Sequence, residues 1–126
     1  MIGAFLQYYL SRKLEQGTHR QNLRTQAYVD LLQGVAGIAT SIKFGAKFPE
    51  MEHTTLLTAA KQRVSIYGSK EVIEVAANFW RAGGELNTPE QMALYVKMVQ
   101  AMREDSLPND LVSGKDVSQL LFGREV

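Results

Sequence analysis

The segment from Tyr28 to Ile42 has the strictest pattern in the chain. Its apolar residues recur at intervals of three and four positions, at Tyr28, Leu31, Leu32, Val35, Ile38, Ala39 and Ile42. This spacing puts them along one side of an α-helix. Alternating apolar and polar stretches joined by hairpin dipeptides, which would predict strands, do not occur in the sequence. The chain is therefore predicted to fold from helices that cover one another's apolar sides.

Prolines divide the sequence into helical segments. Pro49, Pro89 and Pro108 each lie where a helix can begin or end. We predict helices from near the start to about residue 42, and over residues 54–67, 70–82, 89–105 and 115–122. The predicted fold is all-α: an antiparallel bundle of four main helices plus a short C-terminal helix, with a long N-terminal helix extending from the bundle.

Capping residues sharpen these boundaries. Ser69 and Ser113 are predicted to cap the third and fifth helices. Thr88 and Gln91 flank Pro89 in the pattern of a capping box. Gly68 is predicted to end the second helix in a left-handed conformation.

The apolar positions of the later helices predict their buried sides. In the second helix these are Leu56, Leu57, Ala60, Val64 and Tyr67; in the third Val72, Ile73, Ala76, Phe79 and Trp80; in the fourth Met92, Tyr95, Val96, Val99 and Met102; and in the fifth Val117, Leu120 and Leu121. Trp80 is expected to be largely buried, because it shares a stripe with Ile73 and Ala76.

Composition limits the class of protein. A chain of 126 residues fits one folded domain, which we divide into an apolar stub at 1–14 and a bundle at 15–126 with a polar stem at 15–26. The sequence has no cysteine, so disulfide and thiolate chemistry are excluded. A net charge of +1 gives no electrostatic footprint for nucleic acid.

Catalytic and metal-binding patterns are not recognisable. The two histidines, His19 and His53, have acidic neighbours but no set of three or four spaced ligands. Glu104 and Asp105 are adjacent on a helix and point in different directions, so we interpret them as a solvated helix end. The prediction is a protein that is not an enzyme and has no cofactor and no metal.

A polar group is predicted between the first two helices. Arg24 and Tyr28 are four residues apart, Asp30 lies beside them, and Arg63 and Tyr67 are one turn apart on the second helix. Contacts that set the register of the two helices are the preferred interpretation. The alternative function is a small-ligand sensor with a pocket near Tyr28, Arg63, Tyr67 and Trp80.

The N-terminal residues are the most informative about function. Apolar residues come first, tyrosines follow, and Arg12 and Lys13 come last. This is the order expected where a membrane helix leaves the lipid on the cytoplasmic side. The span itself would lie before Met1. The alternative is a helix start that packs on a partner chain. In either case the predicted contact residues are Ile2, Phe5, Leu6, Tyr9, Leu10, Arg12 and Lys13.

Several runs resemble a widespread group of uncharacterised bacterial proteins: GAFL at 3–6, LSRKLE at 10–15, LRTQAYVDLL at 23–32, and RVSIYGS at 63–69 with Val72. The resemblance implies an N-terminal transmembrane helix, a basic exit and a small cytoplasmic helical domain, of which this chain holds only the end of the span. It implies no activity and no catalytic residue.

The predicted function is a non-enzymatic helical interaction or scaffold domain, tethered to or oligomerising through its apolar N-terminal helix. The expected partners are a second copy of the chain, a membrane contacted by the N-terminus and an unidentified protein, with no nucleic acid. The expected location is the cytoplasm, at the inner face of the cell membrane.

Overall fold

The computed structural model describes the backbone of residues 2–45 and 51–126, and the side chains of residues 19–45 and 51–126. Five helices occupy these ranges: α1 (Ile2–Lys43), α2 (Met51–Tyr67), α3 (Lys70–Arg81), α4 (Pro89–Ser106) and α5 (Gly114–Phe122). The described ranges contain no strand. The prediction of an all-helical chain is confirmed, and each helix boundary lies within three residues of its predicted position.

Local capping explains these boundaries. The Ser69 hydroxyl accepts from the Val72 amide, and Ser113 caps α5 through the Lys115 amide. Thr88 and Gln91 form both hydrogen bonds of the predicted capping box. The prediction for Gly68 is wrong, because the residue is not left-handed. A Cβ there would lie 2.6 Å from the Val64 carbonyl oxygen, so the position needs glycine for space.

The core lies between α1, α2, α3 and α4. Its buried apolar side chains are Ala27, Tyr28, Leu31 and Val35 of α1, Ala60 and Val64 of α2, Val72, Ala76 and Phe79 of α3, and Tyr95, Met98 and Met102 of α4. α1 packs mainly against α2, α3 packs against α4, and α4 also contacts α1 and α5. α4 thus joins the two helix pairs and carries the short C-terminal helix.

The helices α1 and α2 run in opposite directions at close range. Asp30 contacts Arg63, and a Cβ added at Gly34 would lie 2.8 Å from the Leu57 Cβ. A Cβ at Gly37 would enter the His53 imidazole. Later residues of α1 therefore contact earlier residues of α2, as in an antiparallel helix pair. The two glycines let the helix backbones approach each other.

Some predicted core residues lie at the surface. Ile42 is 45% exposed, Ile73 38%, Leu121 41% and Leu120 86%. Trp80 is only partly buried, against the outer edge of Phe79 with ring centroids 4.9 Å apart. The predictions for Ile42, Ile73, Leu120 and Leu121 were wrong, because helical spacing identifies a shared side of a helix but not the width of the surface that covers it.

Candidate functional site

The side chains of Arg24, Tyr28 and Asp105, with the backbone of Tyr67 and Ser69, form a connected group that we call the polar junction. The Tyr28 hydroxyl donates to Asp105 Oδ2 at 2.7 Å and accepts from the Ser69 amide at 3.1 Å. Arg24 donates through Nη1 to Asp105 Oδ1 at 3.2 Å and through Nε to the Tyr67 carbonyl at 2.7 Å. The junction therefore connects α1, the turn between α2 and α3, and the C-terminal turn of α4.

Asp105 is the centre of this junction. A carboxylate in the last turn of a helix is disfavoured by the helix dipole, so it needs donors from outside its own helix. Arg24 supplies a guanidinium and Tyr28 a hydroxyl, and the Asp105 side chain is only 17% exposed. The interpretation of Asp105 as a solvated helix end was wrong. Glu104, its neighbour, is the exposed one.

Two further hydrogen-bond contacts join α1 to α4 beside the polar junction. The Gln21 side-chain amide donates to the Asp105 carbonyl at 3.2 Å, and the Thr25 and Ser106 hydroxyls lie 3.2 Å apart. Burial, followed by the hydrogen bond to Asp105, raises the pKa of Tyr28 above its ordinary value. The Tyr28 hydroxyl and the Asp105 carboxylate thus connect α1 to α4.

A second ion pair joins α1 to α2. Arg63 Nη2 lies 2.6 Å from Asp30 Oδ2, and the Gln26 amide donates to the other carboxylate oxygen at 2.9 Å. These bonds, with the Arg63 bond the stronger influence, lower the pKa of Asp30. The structure thus distributes the five residues of the predicted polar group over two sites: Arg24 and Tyr28 meet Asp105 with the Tyr67 carbonyl, and Asp30 meets Arg63.

A groove of about 610 Å³ lies near the C-terminal end of α1. Its apolar lining comes from α1, α2, α4 and α5, and includes Val35, Ile38, Leu57, Tyr95 and Phe122. We call it the apolar groove. Ile42 and Leu121 line it although both are half exposed, and its polar lining includes Thr40, Lys43, Glu85 and Asn87.

The apolar groove does not coincide with the predicted ligand pocket. Tyr28, Arg63, Tyr67 and Trp80 are not among its lining residues. The Tyr28 hydroxyl and the Arg63 guanidinium are instead engaged with Asp105 and Asp30, and Lys61 lies over the Trp80 ring at 4.4 Å. A sensor pocket near these four residues stays a prediction.

The N-terminal contact residues fall outside the described side chains. Ile2, Phe5, Leu6, Tyr9, Leu10, Arg12 and Lys13 belong to the helix α1, and the structure describes only their backbone. Within the described part of the chain, no helix is both long and apolar enough to cross a membrane. The same part holds no group of three or more histidine, aspartate or glutamate residues that could bind a metal ion.

Comparison with protein-family models, with curated proteins and with solved structures finds no match to this chain. The resemblance to bacterial proteins with an N-terminal transmembrane helix therefore stays a prediction.

Proposed function

We propose that this protein is a non-enzymatic helical interaction domain that attaches to its partner through the N-terminal part of α1. The observation that carries the proposal is the continuity of α1 from Ile2 to Lys43. One helix contains both the apolar start and the core residues Tyr28, Leu31 and Val35. A contact made at the start is thereby joined to the folded core without a flexible linker.

The length of α1 supports a segment that projects from the domain. Among the side chains that the structure describes, which begin at residue 19, the first in α1 to bond another helix is Gln21. About 28 Å of helix precede that residue, at a rise of about 1.5 Å per residue. Arg63 and Asp30, and Tyr95 and Leu32, pair α2 and α4 with later parts of α1. We therefore propose an antiparallel bundle of four main helices from which the start of α1 extends.

The chemistry of the start indicates two classes of surface. Residues 2–10 are mostly apolar and are followed by Arg12 and Lys13. Such a segment binds either the headgroup region of a bilayer, with the basic residues at anionic lipids, or an apolar surface on another chain. For a bilayer, the proposed location is the inner face of a bacterial membrane.

The proposal is tested by removing the apolar side chains and keeping the helix. The variant Phe5→Gln/Leu6→Gln/Tyr9→Gln is compared with His19→Gln/Asn22→Gln, which changes two exposed residues of the same helix. Light scattering measures molar mass over a range of concentrations, and sedimentation with vesicles containing one-third anionic lipid measures membrane binding.

We expect the unaltered chain and the control to bind at least one of the two surfaces, and the first variant to lose that binding. If the unaltered chain stays monomeric at high micromolar concentration and does not sediment with vesicles, the proposal is wrong. Equal binding by the first variant and the control also contradicts it.

A further inference from the structure

The short helix α5 is held on the bundle by little buried apolar surface. Of its nine residues, all of which the structure describes, Ser118 alone is buried. Phe122 is partly buried and contacts the Tyr95 ring of α4, with ring centroids 6.1 Å apart. α3, which also packs on α4, buries three apolar side chains. Because burial of an apolar side supplies most of the stability of a helix in a protein, α5 is the more weakly attached of the two.

A helix as short as α5 does not keep its structure once it leaves the bundle. Isolated helices of fewer than about 12–15 residues are marginal in water. When α5 detaches, its backbone hydrogen bonds are lost with it, including those from the Val117 amide to the Ser113 carbonyl and from the Gly123 amide to the Gln119 carbonyl. Detachment of α5 is therefore a local unfolding event, which amide hydrogen exchange detects.

The segment before α5 is fastened to α4. Arg103 pairs with Asp110 at 3.1 Å, and the Gln100 side-chain amide donates to the Val112 carbonyl at 3.2 Å. Both contacts lie before the first residue of α5, so a unit that opens without breaking them begins at Ser113.

The residues after α5 are tied to α5 itself. The Ser118 hydroxyl donates to the Arg124 carbonyl and accepts from the Val126 amide at 3.0 Å. From this tail to α4 the structure has a 3.5 Å approach of the Arg124 guanidinium to the Met92 sulfur, and sulfur is a weak acceptor. Residues 124–126 therefore move with α5 when it leaves α4.

α5 also forms one wall of the apolar groove. Leu121 and Phe122 line the groove together with Met92 and Tyr95 of α4. Tyr95 is only 5% exposed, with the Phe122 ring beside it. Departure of α5 removes this wall, so the groove widens and apolar surface of α4 becomes open to solvent.

We propose that residues 113–126 are a lid on the apolar groove, which opens by local unfolding of α5 while α1 to α4 stay folded. The lid sets how much of the apolar surface of α4 is accessible. The proposal is independent of the proposed function, which concerns the start of α1.

Hydrogen exchange of the full chain, followed by mass spectrometry, tests the lid. After correction for intrinsic amide rates, peptides from residues 117–123 should exchange at least about 100-fold faster than peptides from α4. Low concentrations of urea should leave the rate in α5 unchanged and raise the rate in α4, because only global unfolding exposes a large surface.

Two variants of α5 test what holds the lid closed. Phe122→Ala removes the ring contact to Tyr95, and Leu120→Ala is the matched control, because Leu120 lies on the same helix and is 86% exposed. We expect Phe122→Ala to speed exchange in α5 by about tenfold or more and to leave the rate in α4 within about twofold. The control should leave both rates unchanged. The dye ANS, which binds exposed apolar surface, should fluoresce more with Phe122→Ala than with the control.

Three results would overturn the lid. Equal exchange rates in α5 and α4 with the same urea dependence would mean that α5 leaves only when the whole bundle unfolds. Loss of the fold in Phe122→Ala, or an equal acceleration in α4, would make α5 an integral part of the core. Faster exchange in α5 without a rise in ANS fluorescence would mean that its opening does not uncover the groove.

Discussion

Asp105 connects parts of the chain that are far apart in sequence. It accepts from Tyr28, 77 residues away, and from Arg24, 81 residues away. Tyr28 in turn accepts from the Ser69 amide at the start of α3. Removing one partner of such a group leaves another polar atom without its bond in a half-buried place, which costs more than an exposed bond would.

Two tyrosine substitutions distinguish a bonded hydroxyl from a merely buried one. Tyr28→Phe removes the donor to Asp105 and the acceptor of the Ser69 amide, so we expect the free energy of unfolding to fall by about 1–3 kcal/mol. Tyr95→Phe removes only a 3.4 Å contact to the Leu32 carbonyl and should cost well under about 1 kcal/mol at pH 7. Urea unfolding measures both. Equal costs would contradict the role of the polar junction.

At alkaline pH, Tyr95→Phe should become more stable than the unaltered chain, as judged by the free energy of unfolding. Burial raises the pKa of Tyr95 to about 12, against an ordinary value of 10.0. The unfolded chain therefore releases this proton at a lower pH than the folded one, so the stabilising contribution is complete below pH 10 and is lost as pH rises towards 12. Tyr95→Phe has no such proton to release. By pH 11 its free energy of unfolding should therefore have risen by about 1 kcal/mol relative to that of the unaltered chain. Unfolding curves at pH 8 and 11 measure the change, and an unchanged difference would contradict it.

At the scale of the elements, the pair α1–α2 depends on glycine. Gly34 lies against the Cα and Cβ of Leu57, where no flexible side chain can move aside. At Gly37 the neighbour is the His53 ring, which can rotate. The closest approach of the two backbones is therefore set at Gly34, in the middle of the pair.

Gly34→Ala tests this contact. Alanine favours a helix by about 1 kcal/mol over glycine, but a forced separation of packed helices costs about 1–3 kcal/mol. We expect a net loss of stability, measured by thermal melting. Gly114→Ala is the matched control, because a Cβ there meets Gln100 only at 3.4 Å, and it should be neutral or stabilising by up to about 1 kcal/mol. A stabilising Gly34→Ala would mean that the helices are less closely packed.

At the scale of the whole molecule, the folded core and the apolar start are separate parts of α1. Among the side chains of α1 that the structure describes, which begin at residue 19, the first buried one is Ala27, and the polar junction is made by Arg24 and Tyr28. α4 connects this region to α3 and α5.

Deletion of residues 1–14 should therefore leave the domain folded. We expect its free energy of unfolding to change by no more than about 0.5 kcal/mol, because no described core contact is removed. Urea unfolding at low protein concentration, where both forms are monomeric, gives the comparison. A loss of cooperative unfolding would mean that the start of α1 packs on its own bundle.

Local sequence determined the helices and their ends. Thr88, Pro89 and Gln91 act within one turn, and Ser69 and Ser113 each bond an amide two or three residues away, so their effect can be predicted without knowing what packs nearby. The core side of α1 was predictable for the same reason, since periodicity is a property of the helix itself.

Only the tertiary structure decided which of these sides are covered and which polar groups meet. Leu120 and Ile42 lie on apolar stripes that predict burial, yet they are 86% and 45% exposed. The bond between Tyr28 and Asp105 joins residues 77 apart, and no local spacing indicates it. Helix formation depends on neighbours along the chain, whereas burial and long-range pairing depend on how whole helices are arranged.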